Sequence, residues 1–412
     1  MTGTLFFSND PHNIFVSNVF IDTYTLFNGF YGGLSCNYPE AYIDASAYYD
    51  NITVITSRDR TNSKSPQVLL PRLPGNTTFR NINVYDTYGS LIDANPQIQA
   101  GLWPAWDPMS ESPRYVIWDN ITSSLRNPDF LPDRYNVFML FGSPNSVRKS
   151  FIQFSNMFYL DIKSFFFGAS YIGCSVLDDM TFTNSVFSNY YVGGSYLWAG
   201  QDWKSVFMKN LIFENSIGNA YQGVSMIDVQ DIIFNNITLR NITGTQVPIT
   251  SFITTNRSPS TSLIIDGLII DDWSFLMSNF YSTFASLDYF ELMNVHFSRV
   301  SIAGGESLVV LDDIKHLLFI NMTFENIIYS DTVNEGSAII LLNSLNLNSN
   351  VTTELYKVSL PFVDNSGHHS ETNLFAISED QLTHKHYTCA EVDSIQKYSH
   401  LWFSYEYTSR FD

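Results

Sequence analysis

A six-residue phrase recurs along the middle of the chain and constrains the fold more than any other feature. Each copy starts with a polar or small residue, carries two apolar side chains two positions apart, and ends in a polar or charged residue. The copies are residues 179–184 (DMTFTN), 210–215 (NLIFEN), 231–236 (DIIFNN), 267–272 (GLIIDD), 294–299 (NVHFSR) and 321–326 (NMTFEN). Steps of 21 to 36 residues separate them, which is typical of proteins built from stacked repeats.

The spacing inside each copy predicts a β-strand. Met180 and Phe182 lie two positions apart, so they share one face of an extended chain. Units this short cannot bury a face alone, and stacking them in a parallel β-helix does so. Weaker copies begin at Asn13, Asn51, Asn81, Asn136 and Asn156. We therefore expect one solenoid of about a dozen coils over residues 10–350.

The last position of the phrase is rich in asparagine. In this alignment Asn184, Asn215, Asn236 and Asn326 share one position, with Asp272 and Arg299 as exceptions. Asparagine side chains stacked in this way can bond to one another along the axis. They can also be simple turn residues, because Asn tolerates the left-handed backbone that a turn needs. Either interpretation predicts the same architecture.

These repeats resemble the pectin-lyase-like right-handed parallel β-helix superfamily, and in particular its degenerate-repeat members in large surface proteins of single-celled eukaryotes. The resemblance implies an all-β fold, a solenoid with looped insertions and a C-terminal cap or extension. It implies no single activity, because this fold carries lyases, hydrolases, adhesins and structural spikes.

The charge balance excludes some partners. The 412 residues carry a net charge of −19, and only 15% of them are charged. Binding of nucleic acid needs clustered Lys and Arg, which are missing here. An anionic polysaccharide such as pectate is disfavoured too, unless calcium bridges the two. We therefore expect no nucleic-acid partner, no cofactor and no metal.

The chain has features of an extracellular protein. No run of apolar residues is long enough to span a membrane. The first residues lack a secretory signal although the chain looks extracellular, so we expect a fragment or a processed form. Cys36, Cys174 and Cys389 are widely spaced and odd in number, which leaves one thiol unpaired or paired between chains. Predicted N-glycosylation sites are Asn51, Asn76, Asn120, Asn236, Asn241, Asn321 and Asn350, while Asn256 is discounted because Pro259 follows its sequon.

Two segments depart from the repeat. Residues 95–145 are rich in proline and predict loops leaving the coil, with one strand from Tyr115 to Trp118. Trp103, Trp106 and Trp118 there form either a platform for sugars or proteins, or aromatics packed on the solenoid flank. Residues 351–412 predict a cap or extension. This segment ends in a strand with Leu401, Phe403, Tyr405 and Tyr407 on one face, which pairs with its own solenoid or with a neighbouring subunit.

Candidate catalytic groups are weak. Carboxylate pairs occur at Asp178–Asp179, Asp271–Asp272 and Asp312–Asp313, but neighbours in a strand point to opposite faces and share a substrate only in a turn. The Gly-His-Gly and Arg-x-Lys patterns of β-helix hydrolases are missing, and no acidic cluster has the basic neighbour that a lyase needs. His368, His369, His384 and His386 lack the spacing of a zinc site and predict a polar tail.

The function expected from the sequence is structural. We expect a non-enzymatic, glycosylated, extracellular β-helix that builds a surface filament, hair or coat by pairing with itself through its solenoid ends and terminal strand, with other surface glycoproteins as further partners. The alternatives are a carbohydrate-active enzyme that uses a groove on the flank, and an adhesin whose Trp103 and Trp106 loops bind glycans.

Overall fold

The computed structural model of the chain contains two compact units, Met1–Gly218 and Asn219–Asp412, called here the N-terminal and C-terminal units. The described residues are the strands given below together with residues 76, 204, 229 and 230, and side chains are described mainly along the eleven longest strands. These residues contain no helix, so the described chain is all-β, as the sequence predicts.

The N-terminal unit is a parallel β-solenoid. Its strands are β1 (Phe6–Asn9), β2 (Asn13–Thr23), β3 (Phe30–Gly33), β4 (Ser46–Thr56), β5 (Leu69–Arg72), β6 (Thr77–Tyr85), β7 (Ile92–Asp93), β8 (Arg114–Ser124), β9 (Phe138–Leu140), β10 (Ser150–Leu160), β11 (Lys163–Ser164), β12 (Ala169–Ile172), β13 (Asp179–Ser188), β14 (Tyr191–Val192), β15 (Tyr196–Gln201) and β16 (Ser205–Gly218). The long strands β2, β4, β6, β8, β10, β13 and β16 pair in chain order, each parallel to the next. Parallel pairing of successive strands is what stacked coils require.

The C-terminal unit follows the same plan. Its strands are β17 (Gln222–Ile227), β18 (Asp231–Gly244), β19 (Ile249–Asn256), β20 (Thr261–Thr283), β21 (Leu287–Ile302), β22 (Val309–Asp312), β23 (Ile314–Glu325), β24 (Ile328–Tyr329), β25 (Ala338–Ser344), β26 (Thr352–Ser359), β27 (Asn373–Ile377) and β28 (Thr388–Cys389). The long strands β18, β20, β21 and β23 pair in parallel and in chain order, and β23 continues to β26. The predicted domain boundary near residue 350 stays a prediction.

Each long strand turns a first corner at a residue with a left-handed backbone. In β6, Thr77 and Phe79 are buried before the corner, and Ile82 and Val84 are buried after it. Strict alternation from Phe79 would instead expose Ile82. Asn81, with a φ of 53°, shifts the alternation by one position, so both arms of the strand face the same interior. The equivalent residues are Asn18, Asn51, Asn120, Asn156, Asn184 and Asn210, and in the C-terminal unit Asn236, Gly267, Asn294 and Asn321.

Aromatic rings stack along the interior of the N-terminal unit. In β4, β6, β8, β10 and β13 the position two residues before the corner holds Tyr49, Phe79, Trp118, Phe154 and Phe182, all buried. Successive ring centroids lie 5.2, 5.7, 4.2 and 5.5 Å apart. The first three ring pairs are stacked and the fourth is tilted at 60°, and ring pairs at these separations add to the stability that burial alone supplies. We call this row the aromatic column.

The same position in the C-terminal unit has two aliphatic residues between two phenylalanines. Phe234 pairs with Ile265, Ile265 with Leu292, and Leu292 with Phe319. All four side chains are buried. This row, the aliphatic column, is held by hydrophobic burial without a continuous ring stack.

The alignment of the repeat phrase from the sequence mixes the two arms of the coil, which lie on either side of the first corner. Phe234 lies two residues before the corner of its strand, whereas Phe324 lies three residues after the corner of its own strand and pairs with Phe297. The two arms of each strand carry the same pattern of polar, apolar and turn residues, so copies from different arms look alike. Asn184 and Asn215 likewise occupy different corners, because Asn184 lies opposite Asn210. The predicted fold is confirmed, but not the predicted column.

The proline-rich segment contains part of the solenoid. The predicted strand from Tyr115 to Trp118 is confirmed within β8. Trp118 is 0% exposed inside the aromatic column, so its assignment to a surface platform or to the solenoid flank is wrong. Trp103 and Trp106 lie outside the described residues.

Candidate functional site: the polar corners of the coils

The corner asparagines of the N-terminal unit bond from coil to coil. Asn51 Nδ2 donates to Asn18 Oδ1 at 2.7 Å, and Asn120 Nδ2 donates to Asn81 Oδ1 at 2.7 Å. Asn210 donates in the same way to Asn184 at 2.8 Å. Each donor lies one coil later than its acceptor. Both interpretations of the repeated asparagines are therefore supported, at corrected positions: these residues have the left-handed backbone of a turn, and their side chains form a bonded ladder.

Where a corner asparagine does not bond to the asparagine one coil earlier, it donates to an aspartate instead, and this row of contacts is called here the corner ladder. Asn81 Nδ2 donates to Asp50 Oδ1 at 2.8 Å, and Asn156 Nδ2 donates to Asp119 Oδ1 at 2.8 Å. Asp119 also accepts a bond from Ser155 Oγ at 2.9 Å. Both aspartates directly precede a corner asparagine in the sequence. The repeat phrase does not reveal these aspartates, because its recurring position is marked by asparagine alone.

The C-terminal unit has an equivalent corner ladder, in which one corner holds glycine instead of asparagine. Asn321 Nδ2 donates to Asn294 Oδ1 at 2.9 Å, and Asn294 Nδ2 donates to Asp266 Oδ1 at 2.7 Å. Gly267 holds the corner itself with a φ of 78°. A Cβ atom there would lie 3.3 Å from the backbone of Asn236, which explains the glycine. Asp266 thus supplies the oxygen that a corner asparagine supplies elsewhere.

A second corner lies five residues after the first. In the C-terminal unit it is formed by Asn241, Asp272 and Arg299, whose φ angles are 51°, 57° and 51°. Arg299 contacts Asp271 at 2.8 Å and Asp272 at 3.7 Å. An arginine in this conformation is uncommon, and its ion pairs join two neighbouring coils. Asn215 has the same backbone in the N-terminal unit.

The carboxylate pairs from the sequence fall into separate settings. Asp271 and Asp272 do lie at a turn, as a shared site would require, and both carboxylates contact Arg299. Asp179 accepts a bond from Ser205 Oγ at 2.7 Å, which joins two coils. Asp178, Asp313 and the side chain of Asp312 lie outside the described part of the chain.

The described residues contain no group of three or more metal-ligating side chains. His316 Nε2 lies 3.5 Å from Glu291 Oε1, an isolated pair between neighbouring coils. His368, His369, His384 and His386 lie outside the described residues, as do Cys36 and Cys174. Cys389 belongs to β28, where its side chain is not described. The described chain also has no helix of the length and apolarity that crossing a membrane requires.

Most predicted glycosylation sites coincide with corners. This group consists of Asn51, Asn120, Asn236, Asn241 and Asn321. The residue after each corner asparagine points into the interior, and the next one, such as Thr53 or Thr122, points outward. A solenoid with Asn corners and outward threonines therefore produces Asn-x-Thr as a structural pattern. Asn350 lies outside the described residues, and glycan attachment at all seven sites stays a prediction.

Asn76 belongs to a different row of polar contacts, at the start of the long strands. The Ser46 backbone N–H donates to Asn13 Oδ1 at 3.1 Å, and the Asn76 N–H donates to Ser46 Oγ at 3.1 Å. Asn76 Oδ1 then accepts a bond from the Tyr115 N–H at 2.9 Å. Each side chain thus accepts a hydrogen bond from a backbone N–H of the next coil. This row has no recurring residue type, since it contains Asn13, Ser46 and Asn76, and no sequence pattern predicts it.

Aromatic side chains on the outer face also stack between coils. Phe15 and Tyr48 lie 4.9 Å apart at 12°, and Tyr115 and Phe151 lie 5.2 Å apart at 13°. Rings stacked face to face present mainly their edges outward, whereas sugars stack on ring faces. These described pairs therefore support the solenoid better than they support a glycan platform.

One buried titratable group stands out in the aromatic column. Desolvation by burial raises the pKa of the Tyr49 phenol well above its ordinary range. The ring keeps its neutral form and acts as a member of the stack between coils.

Comparison with known proteins adds no relative. No protein-family model matches the chain, and no curated protein or solved structure matches it. The parallel β-solenoid therefore stands on the structure itself. The predicted assembly strand with Leu401, Phe403, Tyr405 and Tyr407 lies outside the described residues.

Proposed function

We propose that the chain is a structural building block: an extracellular, N-glycosylated, right-handed β-helix of the pectin-lyase-like type that assembles into a surface filament, hair or coat. Its partners are copies of itself and other surface glycoproteins. Solenoid ends and the terminal strand at residues 401–407 provide the contacts, because strand edges add further strands by backbone pairing.

One observation carries this proposal. Along the described strands, the polar side chains at the corners are engaged between coils, as in Asn120 with Asn81 and Arg299 with Asp271. Enzymes instead keep polar groups poised in a concave site, often with perturbed pKa values. The titratable group with a shifted pKa in the described chain is Tyr49, which is buried in the aromatic column.

Electron microscopy of the purified protein tests the proposal. Negatively stained samples over a dilution series are expected to contain filaments or regular arrays whose length grows with concentration. Dispersed single particles at the highest concentration would contradict an assembling building block. Removal of residues 395–412 distinguishes the two kinds of contact. Assembly through the terminal strand should be lost in this variant, whereas assembly through the solenoid ends should persist.

A carbohydrate-active enzyme is the second candidate, and Asp271 and Asp272 are the residues that favour it. Both carboxylates are partly exposed beside Arg299, so an acid and a base could lie on one corner. A panel of neutral and acidic polysaccharides, assayed for new reducing ends and for unsaturated products, tests this candidate. Activity that disappears in Asp271→Asn but persists in Asp231→Asn, an exposed aspartate on β18, would establish it.

A further inference from the structure

Two coils of the N-terminal unit carry the same four residues at the first corner. At this corner β4 and β8 both read Asp-Asn-Ile-Thr, so each corner asparagine begins a glycosylation sequon. Asn51 and Asn120 have φ angles of 52° and 56°, and both residues are exposed. At the equivalent corners of the following coils, Asn81 and Asn156 are half-buried and have no sequon. Corners with and without a sequon therefore alternate along β4, β6, β8 and β10.

The two kinds of corner use their side-chain amides differently. Asn51 and Asn120 each donate from Nδ2 to the corner asparagine of the coil before. Among the described residues, no donor bonds to the Oδ1 atom of either one; the corner asparagine of the next coil donates elsewhere. The described corner asparagines that do accept such a bond all lack a sequon, and they are Asn18, Asn81, Asn184 and Asn294.

Aspartates serve as the acceptors at the two sequon coils. Asn81 Nδ2 donates to Asp50 Oδ1, and Asn156 Nδ2 donates to Asp119 Oδ1, both at 2.8 Å. Each donor thus passes over the corner asparagine of the coil before it and bonds to the aspartate beside that asparagine. A carboxylate accepts a stronger hydrogen bond than an amide does. The corner ladder therefore crosses both coils without using the oxygen of the sequon asparagine.

This arrangement is compatible with a sugar on the side-chain amide. An asparagine Nδ2 atom carries two hydrogens, and an N-linked glycan replaces one of them. The remaining N–H can still donate to the coil before, as Asn51 does to Asn18 and Asn120 to Asn81, each at 2.7 Å. A bulky sugar beside Oδ1 would hinder a donor that approaches from the next coil. An exposed asparagine that donates along the ladder and is not needed as an acceptor meets both conditions.

We propose that Asn51 and Asn120 carry N-linked glycans in the folded solenoid, and that Asp50 and Asp119 are positioning residues that keep the corner ladder bonded around the two sugars. The inference rests on the extracellular glycoprotein of the proposed function. The co-reactant is an oligosaccharide on a lipid diphosphate, supplied with its transferase by the secretory pathway. Nδ2 bonds to the anomeric carbon of the first sugar, and the bond from that carbon to the diphosphate oxygen breaks. The amide proton that Nδ2 loses balances the departing diphosphate.

The spacing of sequons along the corners supports this proposal. Neighbouring coils are about 4.8 Å apart, and a sugar ring with its hydroxyl groups is wider than that. Within each unit, no two successive first corners of the described strands carry a sequon. Asn51 and Asn120 are separated by the coil of Asn81, so their sugars would be about 9.6 Å apart along the axis. Asn236 and Asn321 of the C-terminal unit are separated by two coils.

Site occupancy tests the attachment. The full chain is produced in the secretory pathway of a eukaryotic cell, its glycans are removed with a peptide amidase in heavy-oxygen water, and the labelled aspartates that result are located by mass spectrometry. We expect Asn51 and Asn120 to be occupied in the folded protein. Thr53→Ala and Thr122→Ala remove one sequon each and leave the corner asparagine in place, so each should lose one glycan. Folded protein with both sites empty would overturn the proposal, even if other sequons are occupied.

A coupling measurement tests the role of the aspartates. Asp119→Ala is made in the glycosylated protein and in the Thr122→Ala background, where Asn120 has no sugar. Without the sugar, Asn156 can turn to Asn120 Oδ1, as corner asparagines do on other coils. The melting temperature should therefore fall by roughly 2–4 °C more in the glycosylated protein, the shift expected for one hydrogen bond in a chain of this size. The bonds of Asp119 to other residues are lost in both backgrounds and cancel.

Two controls accompany this measurement. The same four proteins made while glycosylation is blocked should show no coupling, which excludes a direct effect of Thr122→Ala on Asp119. Asp50→Ala with and without Thr53→Ala repeats the test on the other sequon coil, should Asp119→Ala prevent folding. Equal falls in melting temperature with and without the sugar, on either coil, would overturn the positioning role.

Glycan attachment and filament assembly are separate readouts on the same preparation. Filaments built from protein that has no glycan at Asn51 and Asn120 would overturn the glycan inference and leave the structural function standing. Occupied sites on protein that stays dispersed at the highest concentration would support the glycan inference and contradict the proposed assembly.

Discussion

The two units use the same corner but fill their interiors differently. The N-terminal unit stacks Tyr49, Phe79, Trp118, Phe154 and Phe182 in an unbroken row of rings. The C-terminal unit places Ile265 and Leu292 between Phe234 and Phe319. The backbone plan is therefore fixed by the corner and the alternation, while the interior tolerates either chemistry.

The corners differ between the units as well. The N-terminal unit places asparagine at every first corner from Asn18 to Asn210. The C-terminal unit replaces one with Gly267 and supplies the missing oxygen from Asp266. What both units retain is a left-handed residue and a side-chain oxygen for the next coil. The four experiments below test which of these features each unit needs.

Truncation of the aromatic column is expected to give the largest effect. Trp118→Ala removes a fully buried ring between two stacked neighbours and should lower the free energy of unfolding by about 3–5 kcal/mol. Leu292→Ala in the aliphatic column should cost about 2–5 kcal/mol and leave the N-terminal unit protected. Hydrogen exchange measured by mass spectrometry on β6, β8 and β10 distinguishes the two variants, because only Trp118→Ala should reduce protection in these strands. Equal loss of protection in both units after either change would show that the columns are not independent.

The corner ladder is tested at Asn120. Asn120→Ala places a side chain with a strong right-handed preference at a φ of 56° and removes the bond to Asn81. The expected cost is about 2–3 kcal/mol, the sum of backbone strain and one hydrogen bond. Asn120→Gly removes the bond but not the left-handed freedom, so it should cost about half as much. Urea unfolding gives both values, and equal costs would mean that the backbone conformation is not what selects asparagine.

Alkaline titration distinguishes the columns, because the residues named for the aliphatic column include no ionisable side chain. Burial raises the pKa of Tyr49 in the folded state, so above about pH 10 the unfolded chain loses the phenol proton while the folded chain keeps it. Stability should therefore fall with rising pH by about 1.4 kcal/mol per unit from this group. Tyr49→Phe should flatten the curve by that slope, with Tyr48→Phe as the matched control. An unchanged slope in Tyr49→Phe would contradict the buried phenol.

The glycine corner is expected to give the smallest effect. Gly267→Asn restores the usual corner residue, but its Cβ would lie 3.3 Å from the backbone of Asn236. We expect a loss of about 1 kcal/mol, since a neighbouring backbone must shift. Thermal unfolding of this variant beside Asn294→Gly measures it. A stabilised Gly267→Asn would mean that the corner lacks only an asparagine side chain.

Much of the fold follows from the sequence, because alternation and turn chemistry are local. Met180 and Phe182 indicate a strand, and the recurring asparagines mark its corners. The register is not local, and it decides that Phe234 and Phe324 belong to different columns. The role of Asp50, Asp119 and Asp266 in the ladder is equally hard to predict, because an aspartate before an asparagine or a glycine is common in any turn.

The functional residues were harder to predict for the same reason. Asn51 and Asn120 match a glycosylation sequon, and the structure places both side chains in the corner ladder. Trp118 looked like part of a surface cluster because its neighbours in the sequence are tryptophans and prolines. Its partners, Phe79 and Phe154, are more than thirty residues away and meet it only when the coils stack.

The register of the N-terminal unit can be measured directly by pulsed electron spin resonance. Thr53 and Ile212 occupy the same outward position, joined through Asn83, Thr122, Phe158 and Val186 by five parallel pairings. With spin labels on Thr53→Cys and Ile212→Cys in a background free of native cysteines, the stacked coils predict a narrow distance distribution centred near about 24 Å. A broad distribution, or one centred well beyond that distance, would contradict the stacked solenoid.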